Sequence, residues 1–105
     1  MPRVYVLNKG GYDFSAAERY GKLVYCTDGP LKKHDLNQMA RLLSRALQDS
    51  DSNDYIILTS LASLCSIACA IFAVQHSRLN LLIYRNGQYH EHTTVFTEPV
   101  EASNR

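Results

Sequence analysis

A chain of 105 residues has the length of one domain, and it is long enough to bury a hydrophobic core. Its composition, 46% hydrophobic and 20% charged, is that of an ordinary globular protein. Eleven basic and ten acidic residues give a formal net charge of +1. Since there is also no basic run, the sequence lacks the electrostatic signature of a protein that binds duplex nucleic acid.

The three cysteines, Cys26, Cys65 and Cys69, bear on the cellular compartment. An odd number of cysteines without a signal-peptide pattern predicts free thiols in the reducing cytoplasm. Apolar surroundings favour inert, buried thiols over reactive ones. The longest apolar run, residues 61–74, is too short to cross a bilayer, so we expect no membrane partner.

The N-terminal part of the chain predicts two strands around a short helix. Residues 4–7 form the first strand, residues 15–18 match a helix-capping box, and Gly21 is positioned to end the helix in a left-handed conformation. Residues 22–27 form the second strand. Because the helix is so short, two arrangements stay open: the second strand lies parallel to the first, or antiparallel to it.

Two longer helices are predicted next. Residues 36–48 place their apolar side chains on one face, and Asp35 is positioned to cap the first turn. Residues 63–76 form a helix that is apolar on nearly every side and must therefore be covered on two of them. A chain of this size offers little material to cover the second side, so we infer a homodimer.

The strands on either side of this second helix, residues 55–58 and 79–84, are continuous apolar runs, which are typical of parallel strands buried on both faces. Asn86 and Gly87 then predict a hairpin turn into a last strand, residues 89–96.

The predicted order is β-α-β-α-β-α-β-β. We expect an α/β fold: a small mixed, mostly parallel sheet with helices on its faces and a C-terminal β-hairpin. Residues 1–97 form the single domain in this interpretation, and residues 98–105 form a flexible C-terminal tail.

The carboxyl ends of parallel strands share one edge of a sheet, and open α/β sheets bind ligands there. Glycines at that edge permit close backbone approach, hydroxyl and helix N–H groups donate to anions, and Lys9 or Arg85 would supply positive charge. We therefore predict a site for a nucleotide-like or other anionic small molecule. The candidate residues are Asn8, Lys9, Gly10, Gly11, Thr27, Asp28, Thr59, Ser60, Ser63 and Arg85. The glycines match no nucleotide-binding fingerprint, and the same residues also suit plain turns and helix caps.

His90 and His92 are the candidates for acid–base chemistry. Being two residues apart on a strand, they point to the same face and could share a metal ion or transfer a proton. No further ligand follows at a spacing typical of a zinc site, so we predict neither metal nor cofactor. The alternative is a solvated face of an edge strand.

Three functions fit these observations. We favour a small, cytoplasmic, regulatory homodimer that is not an enzyme and that binds a nucleotide-like or anionic ligand at its strand ends. The first alternative is an enzyme that processes phosphoesters or nucleotides with a histidine as acid or base. The second is an inhibitor or adaptor that acts by protein–protein interaction and is encoded by a virus or mobile element.

Overall fold

The computed structural model describes residues 1–31, 35–59 and 61–96. Its elements are β1 (Arg3–Val6), a 3₁₀ helix (Ser15–Tyr20), β2 (Lys22–Tyr25), α1 (Leu36–Leu47), β3 (Tyr55–Ile57), α2 (Ala62–His76), β4 (Arg78–Arg85) and β5 (Gln88–Val95). This is the element order that the sequence predicts. Ser60 and the predicted tail, residues 98–105, lie outside the described residues, and the domain bounds stay a prediction.

The five strands form one sheet in the order β2-β1-β3-β4-β5. β1 runs parallel to β2 and to β3, β3 runs parallel to β4, and β5 is antiparallel to β4. The mixed α/β class and the C-terminal hairpin are confirmed. A mostly parallel sheet is found only in part, because the three parallel ladders hold four, three and two residue pairs whereas the antiparallel ladder holds eight.

α1 and α2 cover one face of the sheet. Every fourth residue of α1 is fully buried at Met39, Leu43 and Leu47, as the predicted apolar face requires. The Asp35 carboxylate caps α1 by accepting a hydrogen bond of 3.0 Å from the Gln38 N–H. Buried side chains from both helices meet those of β1 and β3 in a single cluster: Tyr5, Leu7, Met39, Leu43, Leu47, Ile56, Leu64, Ala68 and Phe72.

The 3₁₀ helix covers the opposite face. Phe14, which precedes it, and Ala17 are buried against sheet residues from β1, β3 and β4. The predicted capping box is wrong, because Phe14 occupies the cap position without a side-chain hydrogen bond. The predicted left-handed Gly21 is wrong as well: its backbone is extended, and a side chain is excluded there because a Cβ atom would lie 2.2 Å from the Pro2 carbonyl oxygen.

The hairpin extends past the other strands. Ile57, the last residue of β3, pairs with Leu82, and β4 continues for three more residues to Arg85. At about 3.3 Å per residue, the turn therefore lies about 10 Å beyond the end of β3. Asn86 and Gly87 have φ angles of 54° and 81°, as the predicted type I′ turn requires.

Within the described part of the chain, the length and hydropathy of each helix fall short of what a membrane-spanning segment needs.

Candidate functional site

The strand order locates the edge of the sheet where a ligand site is expected. The chain passes from β1 to β2 on one side, and then returns past β1 to β3 on the other side. The connections on the two sides of β1 cover opposite faces of the sheet, so a crevice opens at the carboxyl ends of β1 and β3.

A cleft of about 590 Å³ lies at this edge, on the face that carries the 3₁₀ helix. Three segments line it: the loop from Tyr12 to Ala16, the end of β3 with the two residues that follow, and the hairpin. The lining residues are Tyr12, Asp13, Phe14, Ser15, Ala16, Ile57, Leu58, Thr59, Tyr84 and Tyr89. The volume is typical of a small-molecule site, where pockets measure about 300–1,000 Å³.

Two pairs of aromatic rings flank the cleft. Tyr84 and Tyr89 are direct cross-strand partners in the hairpin, and their rings meet edge to face with centroids 5.0 Å apart. Tyr12 and Phe14 form a similar pair at 6.4 Å. In each pair one ring is buried and the other is exposed: Phe14 and Tyr89 are 8% and 9% exposed, whereas Tyr12 and Tyr84 are 80% and 58% exposed. The buried ring of each pair thus supports an aromatic face that is open to solvent.

Asp13 supplies a negative charge to the cleft. One of its carboxylate oxygens accepts a hydrogen bond of 2.9 Å from the Ser15 N–H, and this bond lowers the pKa of Asp13. The carboxylate is therefore ionised at neutral pH. Burial raises the pKa of the Tyr89 hydroxyl, and the nearby Tyr84 and Asp13 add to that increase.

The structure brings Asn8, Lys9 and Thr27 together, as predicted for strand-end residues, but it uses their polar groups within the chain. The Thr27 hydroxyl donates to the Leu7 carbonyl at 2.7 Å, and the Lys9 N–H donates to the Thr27 carbonyl at 2.9 Å. The Asn8 amide donates to the Gly29 carbonyl at 3.1 Å. These hydrogen bonds join the segment that follows β1 to the segment that follows β2. The Lys9 ammonium lies 5.7 Å from the centre of the Tyr25 ring.

The neighbouring candidates Gly10, Gly11 and Asp28 are exposed. Gly10 has a φ of 48°, and its N–H donates to the Asn8 side chain at 3.0 Å. This glycine therefore serves the local turn, as the plain-turn alternative expects.

The remaining candidates are spread over three positions. Thr59 lines the cleft, with its hydroxyl 3.5 Å from the Cys65 sulfur. The Ser63 hydroxyl, on α2, donates to the Met39 sulfur at 3.7 Å. Arg85 follows the cleft-lining Tyr84 in β4, and because side chains alternate along a strand, its side chain points to the opposite face of the sheet. Ser60 lies outside the described residues, and ligand binding by any of the candidates stays a prediction.

His90 and His92 lie on the other face of the sheet. They pair with Ile83 and Leu81, and Leu81 packs against the cluster beneath α1 and α2. Side chains alternate along a strand, so the histidines point away from Tyr89 and the cleft. The His90 Nε2 atom is 3.3 Å from the Arg85 carbonyl oxygen. Among residues 1–31, 35–59 and 61–96, no group of three or more His, Cys, Asp or Glu side chains is placed to hold a metal ion.

Of the sequence-based candidates that the structure describes, Thr59 lines this cleft, and the candidates miss its aromatic lining. A signal for two of the rings is present in the sequence. Tyr84 and Tyr89 are each two residues from the Asn86–Gly87 turn, and a two-residue turn fixes such residues as cross-strand partners.

Comparison with known proteins identifies a family for this chain. No curated protein and no solved structure matches the chain. A family model matches residues 2–96, which is nearly the whole sequence, and its description is phage Pam3 gp32-like protein. The chain therefore belongs to the family of phage Pam3 gp32-like proteins.

Proposed function

We propose that the protein is a small binding protein, not an enzyme, and that it holds a planar, nucleoside-like ligand in the cleft between the Tyr12–Ala16 loop and the hairpin. The observation that carries this proposal is the pair of exposed aromatic rings, Tyr12 and Tyr84, that line a cleft of about 590 Å³. The site keeps the strand-end position expected for this fold.

Stacking would supply the affinity. A base that stacks on an aromatic side chain gains about 1–3 kcal/mol. Tyr84 has an edge-to-face contact with the buried Tyr89, and this contact reduces the conformational freedom that Tyr84 would lose on binding. The apolar residues Ile57 and Leu58, which also line the cleft, would cover the edge of the ligand's ring system.

The same geometry supports binding over catalysis. The cleft-lining residues that the structure describes include no histidine, cysteine or lysine. His90 and His92, which the enzyme alternative needs, are on the opposite face of the sheet. Asp13 is ionised at neutral pH, which suits a hydrogen-bond acceptor better than a general acid.

Isothermal titration calorimetry with a panel of nucleosides and nucleotides tests the proposal. We expect at least one of these ligands to bind, and we expect Tyr84→Ala to weaken it by about tenfold, the loss of one stacking contact. Tyr25→Ala is the matched control, because Tyr25 is also an exposed tyrosine near a strand end but does not line the cleft. Equal losses in both variants, or no binding at all, would contradict the proposal.

The family description favours a second candidate function. Because that description names a phage protein, the chain could be a phage-encoded regulator that acts on another protein through Tyr12 and Tyr84. Exposed aromatic residues at the rim of a cleft are frequent hot spots of protein interfaces. A partner captured by the wild type and lost with both Tyr12→Ala and Tyr84→Ala, together with no response to the ligand panel, would favour this function over the first.

A further inference from the structure

We propose that the cleft, if it is the ligand site proposed above, selects an unphosphorylated nucleobase or nucleoside that bears an amino group, and that this group donates hydrogen bonds to the Asp13 carboxylate. The inference therefore rests on the proposed function and adds the chemical class of its ligand.

The first step concerns the hydrogen-bonding capacity of Asp13. An ionised carboxylate accepts at about four positions and donates at none. The Ser15 N–H occupies one of these positions, at 2.9 Å from Oδ1. The remaining capacity is that of an acceptor, so a ligand must present N–H or O–H groups to it. Bonds to a charged acceptor are about twice as strong as bonds between neutral groups.

The second step concerns charge. Asp13 is the one charged side chain among the described residues that line the cleft. Tyr89, on the hairpin, lines the same cleft, and the charge of Asp13 is the smallest of the three causes that raise the pKa of the Tyr89 hydroxyl. Phosphate held in the same cleft would place a second negative charge close to the Asp13 carboxylate, which is unfavourable. Neither predicted counter-charge, Lys9 or Arg85, lines the cleft, and the Lys9 ammonium lies over the Tyr25 ring.

The third step concerns the identity of the base. Adenosine and cytidine present an exocyclic amino group at the position where inosine and uridine present an oxygen. An oxygen facing the Asp13 carboxylate would leave two acceptors opposite each other and no proton between them. Asp13 is exposed, so the selectivity comes from the charge-assisted hydrogen bond that an amino group gains and an oxo group lacks.

Two matched pairs of nucleosides, adenosine with inosine and cytidine with uridine, test the inference by calorimetry, together with adenosine monophosphate. For the wild type we expect an amino nucleoside to bind about tenfold more tightly than its oxo partner and than the monophosphate. In Asp13→Asn we expect both differences to shrink to about twofold, because an amide can also donate to an oxo group and carries no charge. Asp28→Asn removes an exposed acid outside the cleft and should leave both differences unchanged. Circular dichroism checks that each variant is folded.

The outcomes separate the two proposals. Binding that depends on Tyr84, but is equal within each pair and indifferent to phosphate, overturns the inference and leaves the proposed function standing. Tighter binding of the monophosphate overturns the inference and supports the anionic ligand predicted from the strand-end residues. No binding of any nucleoside overturns the proposed function itself.

Discussion

Tyr84 and Tyr89 form an edge-to-face pair across the β4–β5 hairpin, with ring centroids 5.0 Å apart, but they occupy opposite environments. Tyr89 is 9% exposed and belongs to the core cluster beneath the 3₁₀ helix, whereas Tyr84 is 58% exposed at the rim of the cleft. The two residues therefore have different roles: Tyr89 stabilises the fold, and Tyr84 presents an aromatic surface to solvent.

This division predicts different costs for the two alanine substitutions. Tyr89→Ala should lower the free energy of unfolding by about 3 kcal/mol, the usual cost of removing a buried aromatic ring. Tyr84→Ala should lower it by only about 1 kcal/mol, the value of an aromatic pair with little burial. Urea denaturation followed by circular dichroism measures both. Equal costs for the two substitutions would show that the environments do not differ in this way.

A second prediction concerns Gly21, where the chain enters β2. The Pro2 carbonyl accepts a hydrogen bond of 3.1 Å from the Lys22 N–H, and this contact brings the backbone of residue 2 against Gly21. A Cβ atom at position 21 would lie 2.2 Å from that oxygen. Gly21→Ala should therefore lower the free energy of unfolding by about 2 kcal/mol or more, because the backbone has to shift.

Gly11→Ala is the control for this variant. A Cβ atom at Gly11 has no neighbour within 4 Å, so the change in unfolding free energy should stay within about 0.5 kcal/mol. Equal effects at Gly11 and Gly21 in the same urea titration would rule out close backbone approach as the cause.

Much of the fold could be predicted because its signals are local. The spacing of Met39, Leu43 and Leu47 marks the buried face of α1, and the Asn86–Gly87 pair marks the turn of the hairpin. The role of Gly21 could not be predicted in this way. It depends on how closely residue 2 passes it, and a contact between neighbouring strands leaves no local pattern.

The candidate site was harder to predict for a related reason. Strand ends mark the correct edge of the sheet, but they do not indicate which polar side chains form hydrogen bonds within the loops. Asn8 and Thr27 satisfy backbone carbonyls, which fits the rule that buried polar groups find partners within the chain. The cleft instead depends on Tyr12 and Tyr84, which are far apart in sequence and meet the same space only after the 3₁₀ helix packs on the sheet.

A third prediction concerns Asn80, a buried polar residue at the opposite end of the sheet. Its side-chain amide donates to the carbonyls of Ser52 and Asp54 at 2.7 and 2.8 Å. Its oxygen accepts from Arg78 and Thr93 at 2.8 and 3.1 Å. Asn80→Ala leaves these groups without their partner, so it should lower the free energy of unfolding by about 3 kcal/mol.

The exposed Asn37 on α1 provides the comparison for Asn80. Asn37→Ala should change the unfolding free energy by no more than about 0.5 kcal/mol, because it removes a solvated side chain. Thermal and urea denaturation of the two variants measure the contrast. A stable Asn80→Ala protein would mean that the network around residue 80 contributes little.

A fourth prediction links Cys26 to pH. Burial raises the pKa of its thiol to about 12 from an ordinary value of 9.0. Because the folded state holds this proton more tightly than the unfolded state does, Cys26 contributes stability below about pH 9, and that contribution is lost as the pH rises towards 12. Between about pH 8 and about pH 10.5, Cys26→Ala should lose less stability than the wild type, by on the order of 1 kcal/mol.

Urea denaturation of both proteins at the two pH values tests this difference. An independent readout is alkylation by iodoacetamide at about pH 8, mapped by mass spectrometry: Cys26 should react far more slowly in the folded protein than in urea, since the thiolate is the nucleophile. Rapid alkylation of Cys26 in the native state would contradict the burial of its thiol.

The last prediction concerns the predicted homodimer. α2 is apolar around most of its circumference, and Val74, on the side away from the core, is 85% exposed. It follows the half-buried Ile67 and Ile71 at helical spacing, so the three side chains form one apolar strip.

If a second copy covers this strip, Val74→Lys should shift the protein from dimer to monomer, because a buried lysine without a partner is unfavourable. Size-exclusion chromatography with light scattering measures this shift. Ser44→Lys adds the same charge to the exposed side of α1 and should leave the mass unchanged. A monomeric wild type would refute the homodimer, and an equal effect of both lysines would place the interface elsewhere.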